Sequence, residues 1–164
     1  MALSDSNLLN IDEGILLEDA FIVIVRTEWN AAIVNKLEQG CVNILNKYHI
    51  KNFRILTVPG AFEIPFAIKS FWENSGMEKP QAFIALGCVI RGDTPHFDYV
   101  CQAVTSGISQ LNLSLPVPSI FGILTVENEL QAEERLGGLH GHKGEEAATS
   151  ALKMMILQKS FYKD

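Results

Sequence analysis

Cysteine is scarce. The chain holds three, Cys41, Cys88 and Cys101, an odd number with no CxxC spacing. That argues against a disulfide framework or a zinc knuckle and for small buried hydrophobes in a reducing cytosol. Positive charge is short as well. Thirteen Lys and Arg face nineteen Asp and Glu, a net charge of -6. A general nucleic-acid or anionic-membrane binder needs the opposite balance. A small anionic substrate stays possible, because a few local cations outweigh a distant net charge. No stretch is long and apolar enough to span a bilayer. The opening MALSDSNLLNIDEG lacks the basic start and apolar core of a secretory signal. These absences place the chain in the cytoplasm, with no nucleic-acid or membrane partner. Internal repeats, low-complexity segments and linkers are also missing.

What is present suffices for one core. A chain of 164 residues, 48% hydrophobic and 20% charged, fits a single domain that needs no disulfide or structural metal. Residues 1–18 carry weak periodicity and read as a flexible arm; residues 19–164 read as the domain. Ala20 to Val25 (AFIVIV) is β-branched and wholly apolar, which predicts a strand buried on both faces. The period then changes. Ile33, Leu37, Cys41, Ile44, Leu45 and Tyr48 share one helical face, with Thr27 as N-cap. The alternation continues with a strand over Arg54 to Val58 and a helix over Phe62 to Glu73. A strand over Ala82 to Ile90 precedes a helix bearing Phe97, Val100, Cys101, Val104, Ile108 and Leu111. Ser119 to Thr125 is the fourth strand. A short helix over Asn128 to Leu136, stopped by Gly137 and Gly138, and a last helix over Glu145 to Ser160 complete the series. Four strands alternating with about five helices predict an α/β, three-layer, flavodoxin-like sandwich around a parallel sheet.

Ligands of open parallel sheets bind outside the carboxyl ends of the strands. Each strand here is followed by residues odd for a plain turn: RTEWN with Trp29, PGAFEIP with Glu63, RGDTPH with Thr94 and His96, and TVEN leading to Arg135. All four sets fall at one edge of the sheet. Thr94 can cap a helix that takes Pro95 at its first position, and the free amides there attract an anion. A structural cap without a ligand explains the same residues. His96, in that first turn, is either a proton acceptor or a surface or interface histidine. Trp29 either stacks on a flat heterocycle or fills core. Glu63 either accepts ligand hydroxyls or caps its own helix. Arg135 is either a bidentate phosphate clamp or a solvated complement to a helix dipole. The glycine-rich Gly137 to Glu146 contains Lys143 but not the Ser or Thr that follows a P-loop lysine. His140-x-His142 has no third ligand at a recognisable metal spacing, and GxGxxG, GxSxG and HExxH are absent. An anion site, a stacking ring, a buried acceptor and one base suit substrates that bring their own nucleophile and electrophile. The protein then positions them and moves protons.

Three stretches, VPGAFEIP (Val58 to Pro65), ALGCVIRGDTPHFDYVC (Ala85 to Cys101) and FGILTVENELQAEERLGG (Phe121 to Gly138), with HKGEEAA (His142 to Ala148) beyond them, resemble the lumazine synthases. The resemblance runs from about Phe21 to the end of the chain. It implies a cofactor-free condensation of 5-amino-6-ribitylaminopyrimidinedione with 3,4-dihydroxy-2-butanone 4-phosphate in riboflavin biosynthesis. By motif position, Trp29 would stack on the pyrimidine, and Gly60, Ala61, Phe62 and Glu63 would hold the ribityl chain. Cys88, Val89 and Ile90 would line the heterocycle. Gly92, Asp93, Thr94 and Arg135 would take the phosphate, and His96 would transfer protons. Phe121, Lys143 and Arg135 would come from a neighbouring subunit of a homopentamer, alone or packed into a decamer or icosahedral shell. Metal ligands are not implied. The chain departs from the family pattern at Cys88 (often Thr), Asp93 (often a small residue), His142 (often Asn) and the Leu139-His140 loop. Two rivals remain on the same scaffold, a flavin or lumazine carrier and an electron-transfer module. A carrier needs neither His96 nor Arg135. The module needs a Gly- or Ser/Thr-rich loop after the first strand, where RTEWN stands.

Overall fold

A computed structural model describes residue 11 and residues 19–161. The arm expected over residues 1–18 lies, but for Ile11, outside the described residues. The chain runs β1 (Phe21–Thr27), α1 (Ala31–Lys47), β2 (Asn52–Val58), a 3₁₀ turn (Ala61–Glu63), α2 (Ile64–Asn74), β3 (Ala82–Ile90), α3 (His96–Ser114), β4 (Ser119–Val126), α4 (Glu129–Glu133), β5 (Leu136–Gly138), β6 (Gly141–His142) and α5 (Lys143–Ser160).

The four long strands pair in parallel in the order β2-β1-β3-β4. This is the expected three-layer α/β sandwich. The alternation of strand side chains splits the core in two. Ile22 and Ile24 of β1 pack with α1 and α5, through Leu37, Leu45, Ala148 and Leu152. Phe21, Val23 and Val25 point the other way, to Ile64 and Ile68 of α2 and Val104 and Ile108 of α3. Every residue from Phe21 to Val25 is buried, as the unbroken apolar run requires. β2 differs: as the sheet edge it leaves Arg54 and Ile55 exposed.

Three local expectations are corrected. Thr27 is not the cap of α1. It is the last residue of β1, buried and paired with Val58, and its hydroxyl donates to the Trp29 carbonyl at 3.3 Å. The cap is Asn30, in the left-handed region (φ 56°), which asparagine tolerates better than most residues. Pro95 precedes α3 rather than opening it, and Thr94 makes no side-chain cap. A residue before proline is driven out of helical geometry, so Thr94 stays in the loop. Leu136 to Gly138 does not end a helix. It pairs antiparallel with Gly141 and His142 in a small hairpin, where Gly137 (φ 104°) and Gly141 (φ 73°) supply the left-handed backbone.

Candidate active site

The chain crosses from the β2 side of β1 to the β4 side between β2 and β3. The strand order therefore reverses beside β1, and the crevice at the carboxyl ends of β1 and β3 is where such a sheet takes a ligand. A cavity of about 630 Å³ lies there.

Its walls follow from backbone pairing that outlasts the strands. The Glu28 amide donates to the Val58 carbonyl at 2.9 Å and the Trp29 amide to the Pro59 carbonyl at 3.3 Å, so the loops after β1 and β2 run side by side. The Asn30 side-chain amide donates to the Cys88 carbonyl at 2.8 Å and ties the β1 loop to β3. Trp29 and Phe62 line the cavity from those two loops and are 71% and 61% exposed. Neither ring is part of the core. Gly60, Ala61 and Glu63 complete the β2 wall. Glu63 acts as a cap: its Oε2 accepts the Gly60 amide at 3.0 Å and fixes the 3₁₀ turn.

β3 supplies Cys88, Val89 and Ile90. Burial pushes the Cys88 thiol up to about 11, so at neutral pH it is an uncharged wall group and not a nucleophile. Gly92, Thr94 and His96 line the cavity from the β3–α3 loop and the first residue of α3, and all three are exposed. Asp93, also exposed, lies between Gly92 and Thr94. The nineteen-residue α3 points its positive end at this loop. Arg91 is bound to Asp98 (2.9 and 3.2 Å) and to Glu127 (2.8 Å) and lies over the Phe97 ring.

The family model for 6,7-dimethyl-8-ribityllumazine synthase matches residues 19–159. A protein of that name from Parabacteroides distasonis is 49% identical over 136 residues, 82% of this chain and 83% of the relative. One from Porphyromonas gingivalis is 49% identical over 144 residues, 87% and 88%. One from Cytophaga hutchinsonii is 42% identical over 158 residues, 94% and 98%. The chain belongs to the 6,7-dimethyl-8-ribityllumazine synthase family.

Not every residue that the resemblance assigns to the site lines this cavity within one chain. Phe121, 39% exposed, lines a separate cavity of about 380 Å³ with Cys101, Gln102, Thr105 and Thr125. Arg135 donates from Nη1 to the Gln131 carbonyl at 2.7 Å, and Lys143 is paired with Glu146 at 2.8 Å. None of these three residues lines the larger cavity. His140 Nε2 is 3.9 Å from Glu134, and His142 packs on α1. Among the described residues, no three His, Cys, Asp or Glu side chains group as metal ligands, and no helix is long and apolar enough to cross a membrane.

Sequence reasoning missed four residues of this cavity: Asn30, Pro59, Phe97 and Val100. For Asn30 a signal exists, an asparagine between a strand and a helix where a left-handed residue is cheap. Phe97 and Val100 read as the buried face of α3, and a partly buried face also serves as a cavity wall.

Proposed function

We propose that the chain condenses 5-amino-6-ribitylaminopyrimidinedione with 3,4-dihydroxy-2-butanone 4-phosphate to 6,7-dimethyl-8-ribityllumazine, a step of riboflavin biosynthesis, without a cofactor. One observation carries the reading. In a chain of this family, Trp29, Glu63, Cys88 to Ile90 and His96 line one cavity at the strand-order reversal. The pyrimidine's amino group attacks the ketone and water leaves as the imine forms. Inorganic phosphate is then eliminated. The elimination takes the C3 proton and leaves an enol, which tautomerises to a new carbonyl at C3; the ribityl-bearing nitrogen closes the ring on that carbonyl, with loss of a second water. Both reacting groups belong to the substrates, so the protein's part is placement and proton movement.

The exposed Trp29 ring offers a stacking face to the pyrimidine. Gly60 to Glu63 hold the ribityl hydroxyls, and Cys88 to Ile90 flank the heterocycle. The loop Gly92 to Thr94, at the positive end of α3, takes the phosphate with Arg135. His96, beside that loop, carries protons between the intermediates.

Arg135, Lys143 and Phe121 reach the site from a neighbouring copy in a ring of five, alone or packed into an assembly of such rings, in a cytoplasmic protein. Exposed apolar groups on the α2–α3 side support a covering neighbour: Phe66 on α2, Tyr99 and Leu113 on α3, and Phe121 on β4. Heterologous contacts that close give rings.

The test mixes both substrates with purified protein and follows lumazine absorbance and phosphate release together. Expected is one phosphate per lumazine. No lumazine above the uncatalysed rate would end this reading. A tightly bound stoichiometric flavin in the visible spectrum would replace it with a carrier.

A further inference from the structure

Arg91 stands one residue beyond β3 and engages every nitrogen of its guanidinium. Nη2 and Nη1 donate to Oδ1 and Oδ2 of Asp98 at 2.9 and 3.2 Å, and Nε lies 2.8 Å from Glu127 Oε2. Its Cζ lies 4.1 Å from the centroid of the Phe97 ring, and its backbone amide donates to the Val126 carbonyl at 2.9 Å. Asp98 is in the first turn of α3 and Glu127 follows β4. One cation therefore joins three elements at the carboxyl edge of the sheet.

Between Arg91 and the buried Phe97 lie Gly92, Asp93, Thr94, Pro95 and His96, all exposed. Packing does little to hold this stretch: a Cβ at Gly92 would meet nothing within 4 Å. Exposed ion pairs are usually weak, but a bidentate arginine in a network, stacked on an aromatic ring, is the exception. The pairing is felt on both sides. The hydrogen bonds donated by Arg91 hold the Asp98 carboxyl below its usual range, and the same bonds, accepted by Asp98, hold the guanidinium above its own.

We propose that Arg91 is a positioning residue: through Asp98 and Glu127 it sets the loop that takes the sugar substrate's phosphate, and does not itself bind the phosphate. Two carboxylates already match its charge and occupy its donors. The inference rests on the reading of Gly92 to Thr94 as the phosphate loop.

The experiment measures KM for the butanone phosphate, kcat, and pyrimidine Kd by equilibrium dialysis in Arg91→Lys, Asp98→Asn and the double variant. Thr94→Val reports on the loop itself. Lysine keeps the charge but loses the fork and the stacking. Expected for Arg91→Lys is a rise in KM of about tenfold, as for one lost charged hydrogen bond, with pyrimidine Kd nearly unchanged. Asp98→Asn should give a similar rise, and the double variant no more than the larger single one, since both break the same contact. Should Arg91→Lys fail to fold, Asp98→Asn carries the same expectation. An unchanged KM in Arg91→Lys beside a raised one in Thr94→Val overturns the positioning role and leaves the phosphate loop standing. A KM unmoved by Thr94→Val overturns both. Additive effects, or an equal loss of pyrimidine affinity, also overturn the positioning role.

Discussion

The imidazole of His142 occupies the space where a side chain at Gly40 would begin. A Cβ built at Gly40, in the middle of α1, would overlap Cε1, Nδ1 and Nε2 of that ring. Glycine inside a helix costs about 1 kcal/mol against alanine, so its presence here has a steric reason. The two residues form a complementary pair. Two residues on, Gly144 meets the backbone of Leu37 in the same way. The crossing of α1 and α5 is therefore set by two bare backbones.

Gly40→Ala should destabilise the protein by about 1–3 kcal/mol despite its better helix propensity, because the ring must move. Adding His142→Asn should return part of the loss. Gly144→Ala should cost more than Gly40→Ala and resist such rescue, since its obstacle is a backbone carbonyl. Urea unfolding midpoints check all three. A Gly40→Ala variant at least as stable as the parent would refute the pairing.

His96→Ala should lower single-turnover rates while pyrimidine binding holds. General-base help is worth about 10²–10⁴-fold, and water bridging the exposed site brings the expected effect to the low end. Rapid mixing of saturated enzyme with the butanone phosphate gives the rate. An unchanged value removes His96 from the proton path.

Arg135→Ala should weaken saturation by the butanone phosphate and hardly touch pyrimidine affinity, as befits a bidentate anion contact. Because Arg135 and His96 do not share a cavity within one chain, their defects should complement. Inactive His96→Ala and Arg135→Ala chains, unfolded and refolded together, should regain activity. Mixed assemblies of proven composition that stay inactive would refute a site shared between subunits.

Cys41 and Cys88 should be inert in the native state. Burial is the main cause that pushes the Cys41 thiol from 9.0 up to about 12, with Glu38 adding to it, and burial raises Cys88 from 9.0 to about 11. Half-buried Cys101 is raised too, chiefly by burial. At about pH 8 a thiol reagent should label Cys101 first and Cys41 only after unfolding. The sign of the linkage follows. These groups fold neutral, so their contribution is whole below pH 9.0 and is lost as pH rises toward 11 and 12. Urea midpoints should fall across that window, and Cys41→Ala should flatten the decline.

The architecture was legible where burial is two-sided. Phe21 to Val25 and Ala82 to Cys88 are apolar without a break because α-helices cover both their faces. The β5–β6 hairpin was not legible: strands of three and two residues carry no period, and their glycines read equally well as a helix stop. Thr27 looked like a cap because its place in the β1–β2 ladder depends on Val58, thirty-one residues away. At the site, the loops after β1, β2 and β3 named by the sheet-edge rule line one cavity, whereas Arg135, beyond β4, does not line it. The Arg91 network escaped notice because its partners come from α3 and from the residue after β4, and only the folded sheet brings them near. Phe121, Arg135 and Lys143 belong to the same motifs but do not line that cavity within one chain; a motif in the sequence does not say whether its residues meet inside a single fold.

The packing of α5 also bears on how the protein is made. Ala147, Ala148, Ala151, Leu152 and Met155 close one of the two half-cores over Ile22, Ile24 and α1. All the other described strands and helices leave the ribosome before them. Until the last turns of α5 emerge, the nascent chain carries an open apolar face that no other element covers. The opposite half-core, built from α2 and α3, is complete much earlier. Synthesis thus passes through a half-finished sandwich, and interruption of translation before residue 143 would release a species prone to aggregate rather than a smaller folded protein.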